Sequence, residues 1–395
     1  SHINEWIFTI TEEDAEDLPN DLNAQDILAA LQNNILHIAQ EGKNYLLIFP
    51  DFHFYIQDTQ YKDTQKRIRA MKRLHPFIKE SKCSVIFISH TEKIPPELND
   101  LIEIEQIRPP SKKELNNTLE KIINNPEISD QLTLSDSIKE ELVRSALGLT
   151  LNQAERLFNL AIVREYRNPE NMVEIVVQGK KGIIAASGAL EFFAPNEIPQ
   201  YLAGVKVLKQ WLDRRKNSFT DRAVDYGLPQ PRGVFLLGIP GTGKSLTAKF
   251  VAGKWKMPLL RLDIGALYSS YVGATEQSLR QALHLVEATA PAILWIDEIE
   301  KAFVSGGGNL DAGVSNRVLG NFLTWMQENT SPVFVVATAN NVDELPPELM
   351  RKGRFDEIFF LDLPNRIERK SIFEVHISKV KRDPNNYDLD ELSSL

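Results

Sequence analysis

Eight residues, Gly238-Ile239-Pro240-Gly241-Thr242-Gly243-Lys244-Ser245, set the strongest limit on what this chain can fold into. They satisfy G-x-x-x-x-G-K-[ST], a spacing that wraps backbone around a phosphate. The apolar run Val234-Phe235-Leu236-Leu237 precedes them, and a helical stretch from Leu246 to Trp255 follows. Glycines let such a loop curl until several N–H groups face one point, and the helix N-terminus adds partial positive charge there. Lys244 is then placed to reach β- and γ-phosphates, and Ser245 to ligate Mg²⁺. The expected ligand is ATP with Mg²⁺, cradled from Gly238 through Leu246.

Mostly apolar, non-alternating runs at Val234–Ile239, Leu259–Asp263, Ala292–Asp297, Val333–Ala339 and Glu357–Leu363 predict strands of a parallel sheet covered on both faces. Helical stretches, including Thr275–Thr289 and Ser315–Asn329, lie between them. The pattern is α/β and doubly wound, and such a sheet binds nucleotide at the carboxyl ends of its strands.

One of these strands ends in Asp297-Glu298. Asp297 is placed to hold Mg²⁺ through water, and Glu298 to polarise the attacking water. Asn340 ends another strand, where its amide can reach the γ-phosphate and help place that water. Asp263 ends a third, either to hold Glu298 in an inactive rotamer or simply to start a turn. Arg351 and Arg354 follow the Asn340 strand, too far around the core for easy contact with their own phosphate loop. That placement suits arginine fingers reaching into a neighbouring subunit. Tyr271, beside Gly273, is expected to grip an extended polypeptide, with packing into its own subunit as the alternative. Gly306-Gly307-Gly308 suggests a second mobile loop facing the same channel.

The first region reads as a worn copy of this architecture. Tyr45–Asp51 and Ser84–His90 are strand candidates, the first ending in an acid. The second leads to Ile94-Pro95-Pro96-Glu97-Leu98, and the Asn340 strand leads to Leu345-Pro346-Pro347-Glu348-Leu349. Similar words at similar spacing indicate an internal repeat. Phe52 stands where Glu298 stands in the second copy, and the segment matching the Arg351–Arg354 region is shorter. The first copy is therefore expected to be catalytically dead and to serve structure or partner binding. Residues 111–166 form its helical lid, and residues 167–200 a connector. Val173–Val177 and Gly182–Ala186 are expected as short strands or an extended arm in that connector.

Bulk properties exclude several classes. A chain of 395 residues requires at least two domains, and 43% hydrophobic with 25% charged residues fits a globular protein. The net charge of −9, with no dense Lys/Arg block, leaves no footprint for nucleic acid or an anionic membrane. The single cysteine, Cys83, excludes an internal disulfide and points to a reducing compartment such as the cytoplasm. No apolar run has the length of a membrane span and no signal peptide begins the sequence, although Ser1-His2 looks like a cloning remnant.

These motifs resemble those of AAA+ ATPases, over residues 200 to 395. Gly238–Ser245 matches Walker A, Ile293–Glu298 matches Walker B, Ala337–Asn340 matches sensor 1, and Arg351 with Arg354 matches the paired fingers. Leu202-Ala203-Gly204 sits where that family has a hydrophobic-Gly-Gly step beside the adenine. The resemblance implies base contacts at Ala203 and Gly204, with Ala203 a departure from the pattern. More narrowly, Tyr226–Gly233, Leu294–Ile299 and Arg351–Phe360 resemble the uncharacterised AAA ATPases encoded in cyanobacteria and some algal plastids.

The resemblance implies an ATP-hydrolysing ring, expected as a homo-hexamer acting on an unidentified protein client. It also implies a C-terminal helical lid cut short at Leu395. The expected division is 1–166 degenerate module with lid, 167–200 connector, 201–364 ATPase core and 365–395 start of the lid. A nucleotide-dependent regulatory scaffold is the alternative; a nucleic-acid motor is disfavoured by the acidic balance.

Overall fold

The computed structural model describes residues 45–49, 52–56, 62–80, 83–89, 94–105, 107–126, 132, 134–198, 202–268, 274–303, 311–341, 345–351 and 353–394. The chain divides into two compact units, Ser1–Arg108 and Pro109–Leu395.

In the first unit β1 (Tyr45–Phe49) pairs in parallel with β2 (Cys83–Phe87), Tyr45 beside Cys83 and Phe49 beside Phe87. A parallel pair needs a crossover, and the helix Lys62–Glu80 lies between the two strands in sequence. Phe52 is buried and stacks on Phe87 with ring centroids 4.1 Å apart. An aromatic core contact thus stands just beyond β1, at the residue that the expected repeat sets against Glu298. Asp51 and His90 lie outside the described residues. The repeated word folds alike in both places: Pro96–Leu98 and Pro347–Met350 are 3-10 turns opened by Pro95 and Pro346. Each turn buries its leucine, Leu98 or Leu349.

The second unit holds β3 (Leu190–Phe193), β4 (Gly233–Leu237), β5 (Leu259–Leu262), β6 (Ala292–Ile296), β7 (Val333–Ala339) and β8 (Glu357–Phe360). They form one sheet in the order β3-β5-β6-β7-β4-β8. All neighbours are parallel except β3, which runs antiparallel to β5. Every residue of β4, β6 and β7 is buried, which explains their apolar runs, interrupted only by Thr338 in β7. Side chains alternate between two cores. Phe235, Leu294 and Val335 meet Leu283, Val286, Phe322 and Leu323 of the helices Ala274–Thr289 and Asp311–Glu328. Val234, Ile293, Phe334 and Val336 meet Trp211, Leu212, Val251 and Trp255 of Lys206–Arg215 and Lys244–Trp255.

A helical bundle precedes the sheet within the same unit: Lys112–Ile123, Asp136–Ala146, Leu151–Glu165 and Met172–Ala185. Capping boxes at Ser111/Glu114 and Thr150/Gln153 start two of these helices. The fourth corrects the expectation of strands at Val173–Val177 and Gly182–Ala186. Its β-branched residues favour strand locally, yet Met172, Val176, Lys180 and Ile184 are buried at four-residue steps. Burial of that stripe overrides propensity. Its partners are Leu157, Phe158 and Ala161 in the bundle core. Lys180 is enclosed with its ammonium 5.0 Å from the Phe192 ring centre, and burial pushes its pKa down to about 7. Among the described residues no helix is long and apolar enough to cross a membrane.

Candidate nucleotide site

The phosphate loop leaves β4 at Gly238 and enters the helix Lys244–Trp255. Glycine is required at both ends of the turn. A Cβ on Gly238 would stand 2.2 Å from the Leu361 carbonyl oxygen. Gly243 is the helix N-cap at φ 85, a left-handed conformation that side chains disfavour. A Cβ on Gly241 or Gly243 would meet nothing within 4 Å. Space beside the loop is therefore open, and the first N–H groups of the helix have no intrahelical partner and are available to an anion.

The side chains predicted for phosphate and metal do converge. Lys244 is buried, and its Nζ donates to the carbonyls of Gly238 at 2.7 Å and Ile239 at 2.8 Å. Burial pushes its pKa down, while the charges of Glu300, Asp297 and Glu298 pull it back up. Ser245 Oγ donates to Asp297 Oδ1 at 3.1 Å. A hydroxyl and a carboxylate side by side form a hard-oxygen donor pair of the kind Mg²⁺ takes. The open cradle, the enclosed ammonium and this donor pair fit a Mg²⁺-nucleotide.

Glu298 sits just beyond β6 at φ 50, a conformation costing a non-glycine residue about 1–2 kcal/mol. Three contacts hold it there. Its N–H donates to Thr338 Oγ1 at 2.9 Å, Oε1 accepts from Asn340 Nδ2 at 2.9 Å, and Oε2 accepts from Lys301 Nζ at 2.5 Å. The Lys301 hydrogen bond is the largest influence holding the Glu298 carboxyl below the usual range, and Asn340 adds to it. Thr338 also donates to Asp297 Oδ1 at 2.6 Å, so one hydroxyl ties both acids to β7. Asp263 behaves as a turn starter. Its Oδ1 accepts from the Ala266 N–H at 3.1 Å, and the Glu298 carboxylate is bonded by Lys301 and Asn340 instead.

Sequence reasoning gave no role to Thr338, Glu300 or Lys301. Lys301 carried a readable signal, because it stands one helical turn after Glu298. Thr338 and Glu300 act across strands, which spacing alone does not reveal.

Other predicted residues lie further out. Leu202, Ala203 and Gly204 are half-buried. A Cβ on Gly204 would stand 3.1 Å from Glu368 Oε1, so the first turn of Arg366–Lys379 lies against this step. Val205 follows at φ 45, and Lys209 Nζ donates to the Leu202 carbonyl. Arg351 is exposed, whereas Arg354 is buried and donates through Nη1 to the Glu348 carbonyl. Tyr271, Gly273 and Gly306-Gly307-Gly308 lie outside the described residues.

Comparison with known proteins matches residues 234–363 to the family of ATPases associated with various cellular activities. Residues 3–106 and 113–187 match the N-terminal and second domains of SpoVK-like AAA ATPases. An uncharacterised AAA domain-containing protein, ycf46, of Trieres chinensis is 43% identical over 350 residues, covering 89% of this chain and 68% of that protein. This chain belongs to the ycf46 family of AAA domain-containing proteins. The ycf46 protein of Pyropia yezoensis is 39% identical over 380 residues, covering 95% of this chain and 73% of its own length. The ATP-dependent zinc metalloprotease FTSH 9, chloroplastic, of Arabidopsis thaliana is 37% identical over 188 residues, covering 45% of this chain and 23% of that protein. Among the described residues no group of three or more His, Cys, Asp or Glu could hold a metal ion. With the AAA match over residues 234–363, the chain is an ATPase.

Proposed function

We propose that the chain is one subunit of a Mg²⁺-dependent ATPase ring, a homo-hexamer, that remodels or threads a protein client. The supporting observation is the convergence of Ser245, Asp297, Glu298 and Asn340 above a buried Lys244 at the carboxyl ends of β4, β6 and β7. Bound Mg²⁺-ATP supplies the transferable phosphoryl group and the metal charge that neutralises it. Lys244 and the backbone N–H groups between Gly238 and Leu246, Pro240 having none, hold the phosphates. Ser245 and Asp297 hold the metal, Glu298 polarises the water, and Asn340 orients it. Ala203 and Gly204 face the base, while Arg351 and Arg354 serve a neighbour's site. An ATPase core ending at residue 364, the structural or partner-binding role of the first module, and a cytoplasmic or stromal location belong to the same proposal.

Turnover stimulated by an unfolded polypeptide, and by neither DNA nor RNA, supports this reading. Tyr271→Ala is expected to leave ATP binding, assembly and basal hydrolysis intact while abolishing that stimulation. A large aromatic is suited to holding a chain between ATP cycles. If the variant instead melts early, with about 3–5 kcal/mol lost and basal turnover reduced in proportion, Tyr271 is a core residue and a channel role is rejected.

The Lys301–Glu298 contact favours a second reading, a nucleotide-dependent scaffold with slow turnover, because it occupies the base. It also fixes a pH dependence. With Glu298 held below the usual carboxylate range, the acid limb of kcat lies at correspondingly low pH. Lys301→Met removes the largest cause, so the limb is expected to move to higher pH. A pH–rate profile unchanged by the substitution removes Glu298 as the titrating base.

A further inference from the structure

Glu300 is the acid for which the site has so far had no use. It lies in the first turn of the helix Ile299–Phe303 and is only 3% exposed. One carboxylate oxygen, Oε1, accepts the backbone N–H of Asn340 at 2.9 Å. The other, Oε2, is buried without a hydrogen-bond partner. A carboxylate enclosed in this way is expensive, and an apolar residue of similar size would cost less. Its neighbour Ile299 is fully buried in the core, so this turn is anchored without help from Glu300.

The contact it makes is specific. Asn340 is gripped twice from one short segment: by its main chain from Glu300, and by its side-chain amide against Glu298. Among the three acids that act on Lys244, Glu300 acts most strongly. Its charge therefore reaches the phosphate loop as well.

We propose that Glu300 is a positioning residue for ATP hydrolysis, fixing the main chain at Asn340 so that the Asn340 amide stays aimed at Glu298 and the water it activates. The inference rests on the roles given above to Asn340 and Glu298. Glu300 acts through Asn340 and touches neither the nucleotide nor the water. Fixing one end of a short side chain keeps its other end within the tolerance that catalysis allows.

The test compares Glu300→Met, which keeps volume and removes the acceptor, with Glu300→Gln, which keeps an acceptor oxygen without the charge. Full-length chains are assayed for kcat and KM with Mg²⁺-ATP, for melting temperature, and for amide hydrogen exchange at Asn340. Glu300→Met is expected to lower kcat by about 10–100-fold, the usual cost of losing such a supporting contact. KM should stay within about threefold, and the Asn340 amide should exchange faster. Glu300→Gln is expected to recover most of kcat and to restore the slow exchange.

A folded Glu300→Met chain with unchanged kcat overturns the proposal. So does a folded Glu300→Gln chain whose kcat falls about 10-fold or more below wild type while its Asn340 amide stays protected, since the charge and not the hydrogen bond is then what matters; this outcome is read against wild type and survives even if the Met variant does not fold. Asn340→Ala, run in parallel, separates the two layers. If it leaves kcat intact, the reading of the site fails along with this inference. If it lowers kcat while Glu300→Met does not, only the inference fails.

Discussion

Replacing Lys244 by alanine is expected to lower ATP affinity by about 100-fold or more, read by titration calorimetry. The ammonium is enclosed and held by the carbonyls of Gly238 and Ile239, so its direction is fixed before any ligand arrives. Burial works against its charge, and the site offsets this with the nearby charges of Glu300, Asp297 and Glu298. A nucleotide's phosphates are a better partner than neutral carbonyls, and alanine leaves them with backbone N–H groups alone. The melting temperature measured without nucleotide separates lost binding from lost folding. A folded variant that still binds ATP normally would remove the phosphate loop from the binding site and leave the whole reading without its anchor.

Most of this site could be read from the sequence, for a physical reason. Parallel strands buried on both faces must be mostly apolar, so β4, β6 and β7 stood out as apolar runs. Their ends were marked by polar residues, Asp297 just after β6 and Asn340 just after β7, and those ends are where the site lies. What escaped was set by tertiary contacts. The strand β3 has only four residues and pairs antiparallel at the sheet edge, with no periodicity to announce it. The helix Met172–Ala185 looked extended because Val173, Ile175, Val176 and Val177 favour strand, and its buried stripe makes sense only beside Leu157 and Phe192. Thr338, Glu300 and Lys301 are ordinary residues until the strands bring them to Asp297, Asn340 and Glu298. The first unit shows the reverse case. The repeated word at Ile94–Leu98 and Leu345–Leu349 betrayed a shared local turn, while Phe52, read as a sign of lost chemistry, is buried against Phe87.

The other large effect concerns the two arginines, which the structure treats differently. Arg351 is exposed, with nothing to leave behind if it enters a neighbouring site. Arg354 is buried, bonded to the Glu348 carbonyl, and its Nε is enclosed without a partner. Arg351→Ala is therefore expected to lower kcat by about 10³-fold or more with an unchanged melting temperature, as for an arginine acting in trans. Arg354→Ala is expected to lower kcat and also to destabilise, by about 1.5–3 kcal/mol for a hydrogen bond from a charged group. Complementation decides whether they act between chains. Arg351→Ala chains lack the finger but keep Glu298, and Glu298→Gln chains lack the base but keep the finger. Each should be nearly inactive alone. In mixed rings of equal proportion, about a quarter of interfaces join an intact Glu298 to an intact Arg351, and turnover should rise toward that fraction of wild type. Mass measurement of the mixed species shows whether the two chains share a ring. If they do and no ratio recovers turnover, the arginines do not complete a neighbour's site, and the ring reading loses the feature that makes assembly necessary for hydrolysis.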